Sequence, residues 1–201
     1  GVRLNNTGKR LLGHLLVGAA AHLKTFREPN SNVAQEQEGG AKGIAVSIAR
    51  SQTIESLRMV CEEDDDNRAF CEALRHNQNL TYLELRSPSS SKTGQFLSDW
   101  LPESRIQRLV LVQKVRQSHG TDETLSRPDE LAYPAMLRSL GQCATLQTVH
   151  LCHSFLTSRK GKGLTHLAEA LRNSTSITEL DLSGTNFQSS VGDLRDITGA
   201  L

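Results

Sequence analysis

Apolar residues recur along the chain in one compound pattern. A stretch with apolar side chains at i, i+3 and i+7, such as Leu164, Leu167 and Leu171, gives way to a short polar turn and then to an apolar L-x-x-L-x-L triplet. The first spacing lays a stripe along one face of a helix, and the closing L-x-L puts two side chains on one face of a strand. Four segments align on this pattern: residues 43–59, 69–85, 135–151 and 166–182. Their triplets are Ile54, Leu57, Met59; Leu80, Leu83, Leu85; Leu146, Val149, Leu151; and Ile177, Leu180, Leu182. Each opens six residues after the last apolar residue of the helical part, at Ile48, Leu74, Leu140 and Leu171. A fifth, more divergent copy sets Trp100 ahead of Ile106, Leu109 and Leu111, so that successive triplets open 26, 26, 40 and 31 residues apart.

One such unit cannot bury its own apolar face, whereas stacked units can. The pattern therefore predicts an α/β solenoid over residues 1–201, with a curved parallel sheet on the concave face and helices on the convex face. A degenerate repeat at Leu23 and Phe26 and a rim loop are expected within 23–42, and a rim insertion at 113–134 absorbs most of the extra length in the 40-residue spacing. Val2, Leu4 and Thr7 echo Leu180, Leu182 and Thr185, while Leu194, Ile197 and Leu201 echo Leu164, Leu167 and Leu171. The repeat is thus expected to continue past both ends, the chain being a fragment of a longer array.

The strings ALRHNQNLTYLEL (73–85) and ALRNSTSITELDL (170–182) resemble the leucine-rich repeat family, in particular its long helical subtype typified by ribonuclease inhibitor. The resemblance implies a non-catalytic scaffold that binds one or more proteins, as a subunit or adaptor of a larger intracellular assembly. The alternative it offers is the ligand-sensing repeat region of a larger receptor or immune sensor. The family places Asn or Cys three residues past the last strand leucine, where the side chain satisfies turn backbone. Here those positions hold Glu62, Pro88, Lys114, Ser154 and Thr185, so other groups are expected to hold the turns.

Composition narrows the partner. With 23 Lys and Arg against 22 Asp and Glu, no global field steers the chain to nucleic acid or an anionic membrane. The longest apolar stretch, Leu11 to Ala21, is broken by His14 and two glycines and is about half the roughly 20 residues of a membrane span. Cys143 and Cys152 fall at opposite ends of one strand and Cys61 and Cys71 on different elements, too far apart for disulfides. Free thiols point to a reducing, cytoplasmic setting, with Asn-X-Ser/Thr triplets at Asn5, Asn79 and Asn173 as the counter-signal for secretion.

No catalytic constellation emerges, so neither an enzyme activity, a cofactor nor a small-molecule substrate is expected. Gly39, Gly40, Lys42 and Gly43 lack the spacing of a phosphate loop. The run Glu62 to Asp66 lacks the Gly and distal Glu of a calcium loop and reads as a solvated turn, with Asp66 or Asn67 capping the next helix. Arg159, Lys160 and Lys162 read as an exposed loop ahead of a helix. His150, Cys152, His153 and Asp181 are zinc-ligand types, but a His–Asp contact within a polar surface is the simpler reading.

Register turns the repeat into a map of the concave face. Its central column reads Arg58, Glu84, Val110, His150 and Asp181; Ser56, Tyr82, Arg108, Thr148 and Glu179 flank it on one side, and Val60, Arg86, Val112, Cys152 and Ser183 on the other. Arg58 is expected beside Glu84, and His150 beside Asp181. Tyr82, Arg86 and Arg108 are expected to rim two exposed valines, Val110 and Val112, a combination typical of interface hot spots.

Overall fold

A computed structural model describes residues 24–27, 51–60, 71–86, 91–112, 132–152 and 162–185. The elements are, in order, β1 (Thr25–Arg27), β2 (Ser56–Val60), β3 (Tyr82–Arg86), α1 (Ser91–Trp100) continued by a 3-10 turn (Leu101–Glu103), β4 (Arg108–Val112), α2 (Ala132–Leu140), β5 (Thr148–Cys152), α3 (Lys162–Asn173) and β6 (Glu179–Asp181), strands and helices alternating from β3 onward. Residues 71–76 are also helical. The six strands form one parallel sheet in strict sequence order, which requires a crossover between every neighbouring pair. The glycine cluster at 39–43, the acidic run at 62–66, His153, Arg159, Lys160, Asn5, both ends of the chain and the stretches expected as loops at 28–42 and 113–131 lie outside the described residues.

The register is continuous from edge to edge. Phe26, Leu57, Leu83, Leu109, Val149 and Leu180 stand opposite one another along the sheet. Because side chains alternate along each strand, Leu57, Met59, Leu83, Leu85, Leu109, Leu111, Val149 and Leu151 all project to one side, and all are buried there. Helical stripes complete the same core: Phe96, Leu97 and Trp100 from α1, Met136, Leu137 and Leu140 from α2, and Leu164, Leu167, Ala168 and Leu171 from α3. Each fully buried leucine contributes about 1.5–3 kcal/mol of transfer free energy. The architecture is therefore α/β, a parallel sheet backed by helices.

Helix packing is close enough to dictate residue size. A Cβ on Gly141, just past α2, would sit 2.4 Å from the carbonyl oxygen of Ala170 in α3. At Gly184, after β6, the requirement is conformational: φ is 74°, in the left-handed region that glycine enters without steric penalty.

The strands are held at their leading ends by a repeating backbone device. The carbonyl oxygens of Lys24, Glu55, Thr81, Gln107 and Gln147 each accept two consecutive N–H groups from the next strand, at 2.8–3.0 Å. Hydroxyls reinforce it, Thr81 and Thr145 donating to the Glu55 and Ile106 carbonyls. Three residues before four of the five triplets sits a side chain placed to tie the turn: the Ser51 hydroxyl accepts from Thr53 and Ile54 N–H, the Asn77 carboxamide from Asn79 N–H, and the Ser174 hydroxyl from Ser176 and Ile177 N–H. Cys143 occupies the equivalent place, its sulfur 3.9 Å from the Ile106 carbonyl. These side chains tie the turns before the strands; of the positions three residues past the last strand leucine, Glu62, Pro88, Lys114 and Ser154 lie outside the described residues. The fifth, Thr185, also contributes, donating to the Leu151 carbonyl at 3.5 Å.

Candidate functional site

On the side of the sheet away from the helices, the odd-register residues of β2 to β6 line up in three columns. Arg58 stands opposite Glu84, Glu84 opposite Val110, Val110 opposite His150 and His150 opposite Asp181. Ser56, Tyr82, Arg108, Thr148 and Glu179 form one flank, and Arg86, Val112 and Cys152 belong to the other. The residues named from the sequence therefore share a face. They divide into two polar clusters with Arg108 between them.

The first cluster centres on Glu84, which is only 7% exposed. Its Oε1 accepts from the Nε of Arg58 at 2.9 Å and the Nε of Arg86 at 2.7 Å, and its Oε2 accepts the Tyr82 hydroxyl at 2.9 Å. A carboxylate removed from water needs such charged donors to offset desolvation. Burial, then the hydrogen bond and negative charge of Glu84, push the Tyr82 phenol above its ordinary value, opposed by Arg108 and Arg58.

The second cluster centres on His150. Its Nδ1 lies 3.4 Å from Asp181 Oδ2, and its Nε2 lies 3.3 Å from Glu179 Oε1 and 3.5 Å from Arg108 Nη2. Thr148 donates its hydroxyl to Glu179 at 3.2 Å. The two carboxylates approach opposite nitrogens of the ring, so the three side chains do not converge on one point; among the described residues no group of three or more His, Cys, Asp or Glu side chains could hold a metal ion. The Ser183 hydroxyl and backbone N–H hold the Asp181 carboxyl below the usual carboxylate range, with a further contribution from His150 and against some desolvation. Burial pushes the Cys152 thiol up, as do the charges of Asp181 and Glu84.

One expectation for this face is overturned. Val110 is not an exposed apolar contact: it is 7% exposed. Its column neighbours Glu84 and His150 stand one strand away on either side, about 4.8 Å. Val112 alone of the two is partly exposed. The sequence reading also missed how Arg108 is held. Its guanidinium lies 5.8 Å from the centre of the Tyr82 ring, a pairing across neighbouring strands that could have been read from the aligned positions of the two residues.

A second polar feature lies at the turns before β3 and β4, where a groove of about 330 Å³ is lined by Arg75, Asp99, Glu103 and Arg105, among others. Arg75 reaches Asp99 at 4.0 Å and lies over the Phe96 ring. With two cations against two anions, all exposed, the groove has no net charge preference. Among the described residues no helix is long and apolar enough to cross a membrane.

No family model matches the chain, and no curated protein matches it. Among solved structures, the tropomodulin C-terminal domain of Caenorhabditis elegans is similar over 96% of this chain and 90% of that one, with a TM-score of 0.53 and 11% identity. A structure titled leiomodin-1 actin-binding site 2 (ABS2) aligns over 99% of this chain and 89% of its own, at 12% identity and a TM-score of 0.45, below the level at which two folds can be equated. At such identities the first likeness speaks for the fold alone. It corrects the assignment to the ribonuclease-inhibitor-like leucine-rich repeats, since the shared architecture is that of the tropomodulin domain. The strand and helix spacing reports stacked parallel units, which are not the property of one family, and the Asn or Cys position usual in that family is not filled here.

Proposed function

We propose that the chain is a non-catalytic protein-interaction module that uses the open face of its sheet, the inside of a curved repeat array, to hold a protein partner within a larger intracellular assembly. The contact residues are Arg58, Tyr82, Arg86, Arg108, Val112, His150 and Asp181, with the buried Glu84 holding the first three in place. One observation carries this reading: five consecutive strands present charged, aromatic and imidazole side chains in register on the face opposite the helices, tied to one another and, among the described residues, to no covering element. Such a surface is pre-organised, so less side-chain entropy is lost on binding. The free thiols of Cys143 and Cys152 support a reducing setting.

The test is site-specific photo-crosslinking in lysate of the source cells. A photoreactive residue is placed at Val112 or Thr148 on the open face and, separately, at Arg138 or Glu169, which are exposed on α2 and α3. Capture of one protein in stoichiometric amount from the face positions only is the expected result. Capture confined to the helix positions would move the contact to the other side of the molecule and remove these assignments.

A further inference from the structure

We infer that the partner segment lying on this face carries a carboxylate that pairs with Arg108, followed about 10 Å further on by a basic side chain that meets Glu179 and Asp181. This rests on the open face being the contact surface and adds the chemistry of what docks there. The argument begins with Arg108. Its side chain is exposed, and among the described residues it forms no ion pair: its neighbours are the Tyr82 ring at 5.8 Å and His150 Nε2 at 3.5 Å. Neither is anionic. Yet the guanidinium is not loosely held, because Tyr82 is itself anchored through its hydroxyl to Glu84, and Glu84 is fixed by Arg58. A cation stacked on a fixed ring, with no carboxylate among the described residues within ion-pair distance and Glu179 on the far side of the shared His150 Nε2, is a pre-oriented fork for one.

The other half of the face has the opposite sign. Glu179 and Asp181 on β6 contribute two carboxylates, both partly or well exposed, against a single imidazole. Two strand spacings, about 10 Å, separate β4 from β6, and an extended segment covers that distance in about three residues. A segment crossing the strands would therefore match the surface with an acidic residue over Arg108 and Lys or Arg three to four positions away over β6. A uniformly acidic segment would be repelled at β6, and a uniformly basic one at β4.

Selection from a library of displayed random dodecapeptides tests this, with the intact 201-residue chain as bait. Enriched peptides should carry Asp or Glu spaced three or four residues from Lys or Arg. Their binding should weaken about ten- to a hundredfold in Arg108→Gln. Arg108→Glu should favour peptides in which the acidic residue is replaced by a basic one, and circular dichroism should show both variants folded. Peptides that crosslink at Val112 or Thr148 but carry no acidic residue, or bind Arg108→Gln equally well, would overturn the charge assignment and leave the interaction face standing. Peptides that crosslink only at Arg138 or Glu169, or a library with no enrichment, would overturn both.

Discussion

Glu84 binds two arginines and a tyrosine from a place where water scarcely reaches, so its replacement leaves unmatched charge. Glu84→Gln should keep the side-chain shape yet destabilise the fold by about 1–3 kcal/mol, read as a lower urea midpoint with unchanged slope; an unaltered midpoint would show that Arg58 and Arg86 are satisfied without it. Asp181 contributes a pH dependence. Its folded-state pKa is depressed, so its stabilising contribution is present above the ordinary carboxylate value near 4 and lost as pH falls through the folded value. Ser183→Ala removes the leading cause and should raise the Asp181 midpoint in an NMR carboxyl titration. The same carboxylate disfavours the Cys152 thiolate, so Asp181→Asn should shift the pH midpoint of Cys152 alkylation downward; a midpoint that stays put would detach the thiol from Asp181.

Elements were legible where the pattern had a period. The L-x-x-L-x-L triplets put Leu83, Leu109, Val149 and Leu180 opposite one another, and from that register the columns of the open face follow. What the sequence hid depends on side-chain length and on partners remote in the chain. Nothing local says that Glu84 would be drawn between Arg58 and Arg86, or that Val110 would be buried. The turn-tying residues Ser51, Asn77, Cys143 and Ser174 escaped for another reason: their types differ, and only the shared place three residues before the apolar triplet unites them. Gly141 is similarly invisible until α2 meets α3. Gly141→Ala should destabilise the chain by about 1–3 kcal/mol, measured by thermal unfolding, despite the higher helix propensity of alanine. A stabilised variant would mean that the helix pair can separate to admit a methyl group.

At the scale of the molecule, each described strand pairs only with its neighbours in sequence, and so do the helices α1, α2 and α3. Stability in such a stack is close to a sum of unit and interface contributions. Leu109→Ala in β4 should cost about 2–5 kcal/mol and, in hydrogen exchange, reduce protection in β3, β4 and β5 more than in β1. Uniform loss of protection across all six strands would instead identify one indivisible cooperative unit. The row of carbonyls at the leading ends of the strands has a further consequence. The rung from Gln107 to β5 spans 40 residues of sequence, the rung from Thr81 to β4 spans 26, and both close at 2.8–3.0 Å. Chain length and sheet geometry are thus decoupled: a crossover can lengthen over evolutionary time while the bonds on either side of it stay in place, leaving lineages free to vary the connecting segments without rebuilding the sheet that carries them.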